Sequence, residues 1–313
     1  MANAIVSNIG QVNGAGDTKA LFLKVFSGEV LVAFEQKTVM LDKSSMRTIS
    51  NGKSTSFPAT GLATSGYVTP GEEILGGAIK HNERIITIDA LLVSAAFVAD
   101  IDDAMNNYDV SSIYSNEIGI ELANAMDINI LNEVIKASTT TSTVDGLPAG
   151  TVVKNTDFAN SDTAIKAAAL AEGVFKAGQV LDENNAPEER FAIFRPSEYN
   201  ILVQNKDAIN RDWGGEGSYA EGKVFRINGI AIVKSNNLSL TDTTATNAYH
   251  GVDATDTMGV VFTKESVGTV KLMDLEVNVI PQPEKNGTLL MGKYAMGHGV
   301  LRPECAVQLS KAV

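Results

Sequence analysis

Cysteine is nearly absent from this chain: Cys305 is the only one in 313 residues. That excludes an intrachain disulfide framework and suits a reducing compartment. Histidine is almost as scarce. His81, His250 and His298 stand far apart with no metal-ligand spacing, so each reads as a satisfied or exposed side chain rather than a ligand. None of them lies in a motif that would make Cys305 a nucleophile, and a small buried apolar residue is the expectation there. Long hydrophobic runs are missing too. The longest, Ala90 to Ala99, is about half of the ~20 residues that a membrane-crossing helix needs, so the chain is expected to be soluble with no membrane partner. The first residues lack a basic stretch followed by an apolar one, and no export signal is expected. Positive charge is in deficit, with 25 Lys and Arg against 37 Asp and Glu and a net charge of -12. Such a balance argues against a surface that wraps nucleic acid by neutralising phosphates, and sequence-specific DNA binding is not expected.

The patterns that resemble catalytic motifs fail on spacing. Asn51-Gly52-Lys53-Ser54 ends like a phosphate loop, but the glycine required five residues before Gly52 is Arg47, and no buried strand precedes it. Asp102-Asp103 and Glu72-Glu73 are carboxylate pairs, yet adjacent residues rarely face one site, and solvated or interface charge is the simpler reading. No enzyme, cofactor or metal site is expected. A soluble α/β enzyme argued from Ser161 to Val233 remains as an alternative, without a nucleophile-base pair to support it.

What is present is ordinary globular material, 44% hydrophobic and 20% charged, enough for a large core or two subdomains. Its most organised stretch runs from about Asp109 to Ala137. Tyr114, Ile118, Leu122, Met126, Ile130 and Val134 recur at i+4, thickened by Ala125 and Leu131, with Asn116, Glu117, Asn124 and Asn132 pointing elsewhere. Asp109 is placed to cap the first amides, Lys136 sits in the last turn, and the β-branched run Thr139-Thr140-Thr141 ends it. Such a helix is roughly 42 Å long, a rod fit to be a spine.

In chain order, residues 1 to 18 are small and polar and read as an arm, followed by a short helix over Ala20 to Phe34. From Met46 to Ile88 come extended pieces at Met46 to Ile49, Ser54 to Phe57, Tyr67-Val68 and Arg84 to Ile88. Turn chemistry at Pro70-Gly71-Glu72-Glu73 and Gly76-Gly77 separates the outgoing pieces from the returning one. This is a long two-stranded excursion, too poor in apolar residues to stand alone, and a neighbouring subunit is the expected support. After the Thr/Ser/Gly-rich stretch Ser138 to Gly150, a helix capped by Ser161 or Asp162 runs to about Lys176, carrying Ile165, Ala168, Ala169, Ala171, Val174 and Phe175. A strand at Phe191 to Phe194 and a helix opened by Pro196 follow. The glycine-rich loop Asn205 to Gly222 holds the only tryptophan, Trp213, before a hairpin turning at Asn228-Gly229. Short strands are expected at Met258 to Phe262, Thr269 to Leu272, Leu275 to Ile280 and Ala306 to Leu309.

Several of these stretches carry a resemblance. Lys19 to Phe26 with Gly28 to Leu31, Asp103 to Val110 at the spine entry, Ser266 to Leu272, and Lys293 to Gly299 with Leu301 to Glu304 resemble the major capsid proteins of T-seven-like short-tailed phages. The resemblance implies an α+β chain of the Hong-Kong-97 capsid type. Its parts would be an N-terminal arm and short helix at 1 to 45, an E-loop at 46 to 90, and a P-domain with the spine helix at 91 to 140 and strands at 256 to 300. An α/β A-domain would occupy 141 to 255, and a C-terminal strand at 301 to 313 would return to it. It implies self-assembly as hexamers and pentamers into an icosahedral head around double-stranded DNA, with a scaffolding protein and a portal as partners. The chain would occupy the virion, and the host cytoplasm before assembly. An encapsulin-like shell protein of the same fold is the alternative. Phe57, Tyr67, Pro70, Gly71, Glu72, Glu73, Arg84 and Trp213 are the expected assembly contacts, and the six-residue apolar stripe of the spine is the expected helix core.

Overall fold

A computed structural model of the chain describes residues 38–71, 73–74, 76–99, 110–142, 144, 146–204 and 226–312. The expected arm, the helix at Ala20 to Phe34, Asp102-Asp103, Asp109, Glu72 and the loop with Trp213 lie outside the described residues. The spine is a single 30-residue helix, α1, Val110–Thr139, with Lys136 in its last turn. Ile118, Leu122, Met126, Ile130 and Val134 are buried and Tyr114 is half-buried. The i+4 stripe describes only the first half of this helix. Beyond Met126 almost every position is covered, and Asp127, Asn132, Glu133 and Ser138 are buried, so Asn132, off the apolar stripe, is nonetheless enclosed. Ser239 donates to Asn132 Oδ1 at 3.1 Å, and Asn247 donates to Asn129 Oδ1 at 2.8 Å. A helix covered all round places polar side chains inward only where such partners exist.

The chain divides into two compact units, and α1 contributes its first half to one and its second half to the other. One unit takes its described residues from 1–39, 88–127 and 271–296. In it β4, Leu92–Ala99, runs antiparallel to β11, Gly287–Val300, from Gly287↔Ala99 to Tyr294↔Leu92. β11 returns from β10, Val267–Gln282, through a 3-10 turn at Pro283–Lys285 and a left-handed Asn286 at φ 48°. From sequence, β10 reads as two short strands and β11 as none. Four glycines, Gly287, Gly292, Gly297 and Gly299, lower the strand propensity of β11. At least one is required by packing: a Cβ on Gly292 would stand 2.8 Å from Ile118 Cγ2 and 2.9 Å from Leu122 Cδ1. The spine lies directly on the strand at that point. Beside it the buried Tyr294 hydroxyl donates to the Leu122 carbonyl at 3.4 Å, and burial, with Asp89 and Asp127 nearby, pushes that phenol above its usual range. Asp127 Oδ2 accepts from the Val39 amide at 3.0 Å, which ties that backbone to the spine.

The other unit takes its described residues from 40–87, 128–270 and 297–313. Its sheet strands are β5, Thr151–Asn155, β6, Arg190–Phe194, β7, Arg226–Ile227, β8, Ile230–Lys234, β9, Thr257–Thr263, and β12, Ala306–Lys311. They form a six-stranded mixed sheet in the order β5-β12-β9-β6-β8-β7. β9 is buried along its whole length, as expected of a strand covered on both faces. Asn228 at φ 51° and Gly229 at φ 73° make the tight β7–β8 turn, the positive-φ pair that such a hairpin demands. Helix α2, Thr163–Glu183, starts at Asp162, whose side chain accepts from the Ala164 amide, and outlasts its expected end. Its buried face includes Ala167, Leu170, Val174, Ala177 and Leu181, whereas Ile165 and Phe175 are exposed. The expected apolar set mixes the two faces, and nothing among the described residues of this unit covers Ile165 or Phe175. Helix α3, Pro196–Val203, packs on α2 and β6, closing a core of Phe158, Leu170, Phe194, Leu202, Val261 and Leu309.

Candidate assembly surfaces

β1, Ser45–Thr48, belongs with β10 in the four-stranded sheet β1-β10-β11-β4 rather than with the excursion. The excursion itself is a separate ribbon, β2, Ser54–Thr60, against β3, His81–Thr87, from Ser54↔Thr87 to Thr60↔His81. Side chains alternate across it. Thr55, Phe57, Ala59, Arg84 and Ile86 occupy a half-buried or buried face, while Ser54, Ser56, Pro58, Glu83 and Ile85 face outward.

The covered face is held by its own chain. Ile86 is 2% exposed and lies against Gly268 and Gly299, where added Cβ atoms would meet it at 2.9 and 3.0 Å. The Arg47 guanidinium sits 5.2 Å from the Phe57 ring and donates to the Ser56 carbonyl at 2.9 Å. Arg84 pairs with Phe57 in register and donates to the Thr141 carbonyl at 3.0 Å. Phe57 and Arg84 therefore anchor the ribbon root within the chain. Beside them is a cleft of about 540 Å³ lined by Phe57, Leu62, Arg84, Leu147, Leu301 and Arg302. The charge of Arg302 there is matched by Glu265 and Glu304.

Past the root, the Gly61 amide donates to the Lys80 carbonyl at 2.8 Å, and beyond that bond no strand continues among the described residues. Tyr67-Val68, expected as an extended piece of the hairpin, lies in no strand. The described residues from Leu62 to Ile79 are exposed without exception, among them Pro70, Gly71 at φ 103° and Glu73. Large apolar side chains are included: Leu62 is 74% and Ile74 79% exposed, and Tyr67 is fully exposed. Leu62, Ile74 and Ile79 give no sequence signal because the short apolar pairs they belong to, Ile74-Leu75 among them, are spaced without a helical or strand period. Exposed apolar groups gathered on one segment make it a candidate contact surface.

Elsewhere, the distant histidines partly converge. His250 and His298 are buried with ring centroids 5.3 Å apart. Among the described residues, no group of three His, Cys, Asp or Glu side chains is placed to hold a metal ion. Cys305 is fully buried, and burial raises its thiol above the ordinary value, which disfavours the reactive thiolate.

The model of the Gp10A-like major capsid protein family matches residues 56–310. The chain belongs to this capsid family. It is 32% identical to the major capsid protein of Escherichia phage T7, the match covering 94% of this chain and 93% of that protein. The capsid structure of cyanophage P-SCSP1u aligns at 43% identity and a TM-score of 0.79, covering 99% of both chains. The mature capsid of bacteriophage PhiM1 aligns at a TM-score of 0.76 and 21% identity over 97% of each chain, which speaks for the fold alone. The fold is the Hong-Kong-97 capsid type. The role of this capsid chain is structural rather than enzymatic, and its place is the virion shell.

Proposed function

We propose that copies of this capsid chain join as hexamers and pentamers and close into an icosahedral head around double-stranded DNA, with the segment from Leu62 to Ile79 of each copy laid over a neighbour. The observation that carries this reading is the contrast along one ribbon: a root bound to its own chain and a tip whose apolar side chains stand in solvent. Within this reading, residues 46 to 90 are the E-loop, 91 to 140 with 256 to 300 the P-domain, and 141 to 255 with the last strand the A-domain. Residues 1 to 45, with Trp213 and Glu72, complete the contacts. A scaffolding protein and a portal are the further partners, and the subunit waits in the host cytoplasm until assembly. No single contact has to be strong, because a standard interface of roughly 1,600 Å² spans a wide range of affinities after ordering costs. Closure compensates, since a subunit held by several neighbours gains avidity. A net charge of -12 fits a shell that does not adhere to packed DNA.

Charge reversal at the tip tests this. Glu72→Lys with Glu73→Lys follows the Pro70-Gly71 turn, where surface changes move stability by no more than about 0.5 kcal/mol. The thermal midpoint of the subunit is expected to stay within about 2 °C, while shell yield by sedimentation falls strongly, because like-charge contacts recur at every subunit. Normal yield at physiological salt would remove the tip from the contact.

A further inference from the structure

In the second unit a polar cluster ties together segments far apart in the chain. Glu133, on the second half of α1, is 3% exposed, and His250, in the long loop after β8, is also 3% exposed. His250 Nδ1 lies 3.0 Å from Glu133 Oε1. The same oxygen accepts from Lys136 Nζ at 3.2 Å, and Lys136 reaches solvent. Edge-on to His250 is His298, near the end of β11. Its Nδ1 lies 3.0 Å from Thr269 Oγ1 on β10, which is 3.2 Å from Ser44 Oγ. Within the loop the His250 amide donates to Asn247 Oδ1 at 3.0 Å, and Asn247 in turn donates to Asn129 Oδ1 on α1 at 2.8 Å.

The groups around the two rings include the Glu133 carboxylate and the Lys136 ammonium on α1, and the hydroxyls of Thr269 on β10 and of Ser44 just before β1. Glu133 already serves His250 and Lys136. A proton on His298 would therefore be a buried cation facing a hydroxyl and a second imidazole rather than a carboxylate, which is among the least favourable places for a charge.

We propose that Glu133, His250 and His298 form an acid-operated release: near neutral pH they clasp the loop from Ser235 to Asp256 onto the second half of α1 and the end of β11, and in acid the clasp lets both go. Burial, and then the neighbouring His250, hold the His298 imidazole down at about 3 against an ordinary value of 6.5. The folded chain therefore keeps His298 neutral, while the opened chain takes up a proton below about 6.5. Stability tied to this group is fully present above 6.5 and is lost as pH falls from there toward 3.

The test compares the full chain with His298→Gln, whose amide still reaches a hydroxyl but takes no proton. Between about pH 7.5 and pH 5.0 the unfolding constant of the wild type is expected to rise about thirtyfold more than that of the variant. Parallel loss of stability in both proteins would overturn the proposal. Should His298→Gln fail to fold, histidine ring NMR of the wild type decides instead. A His298 signal that stays put down to the unfolding transition supports the release, and one that titrates near its ordinary value in the folded chain overturns it.

Discussion

Leu122→Asp is expected to yield no folded chain. Leu122 is 1% exposed, its carbonyl accepts from the Tyr294 hydroxyl, and its side chain lies against the strand at Gly292, where a Cβ would be 2.9 Å from Cδ1. A carboxylate placed there is desolvated without a partner, a penalty of several kcal/mol against a typical total stability of about 5 to 15 kcal/mol. Leu122→Ala separates charge from volume: it leaves a cavity and costs about 2 to 5 kcal/mol, lowering the thermal midpoint while retaining the fold. Circular dichroism and sedimentation of both variants check this, and a soluble, native-like Leu122→Asp chain would mean that this face of the spine meets water.

The second large effect is on assembly alone. Replacing Leu62 to Ile79 by a two-residue Asn-Gly turn joins Gly61 to Lys80 where their backbones are already hydrogen-bonded. The described residues removed are all exposed, so little buried surface goes with them, and the shorter loop lowers the entropy cost of closure. The subunit is expected to melt at or slightly above the wild-type midpoint, and shells are expected to vanish. Shells of normal yield from the shortened chain would show that the ribbon tip is dispensable.

Much of the architecture was legible because local signals agreed with burial. The i+4 stripe, the Asp162 cap, Pro196 at a helix start and the Asn228-Gly229 turn each specify their element by themselves. The rest depended on partners distant in sequence. β11 was hidden by glycines, and the spine lying on the strand at Gly292 is what makes one of them necessary. Asn132 lies off the apolar stripe, and its burial depends on the loop that carries Ser239. The ribbon was half legible: turn residues at Pro70-Gly71 placed its tip, but alternation alone did not reveal that Phe57 and Arg84 face their own chain. That distinction follows from the anchors Arg47, Thr141 and Gly268.

The central claim is that the ribbon tip belongs to a neighbour, and a reconstruction of assembled shells by electron cryomicroscopy tests it most directly. Density for the segment from Leu62 to Ile79 is expected to lie on an adjacent subunit, with Leu62, Tyr67 and Ile74 buried in that contact. Density for the segment folded back on its own subunit, with those three side chains still in solvent, would contradict it.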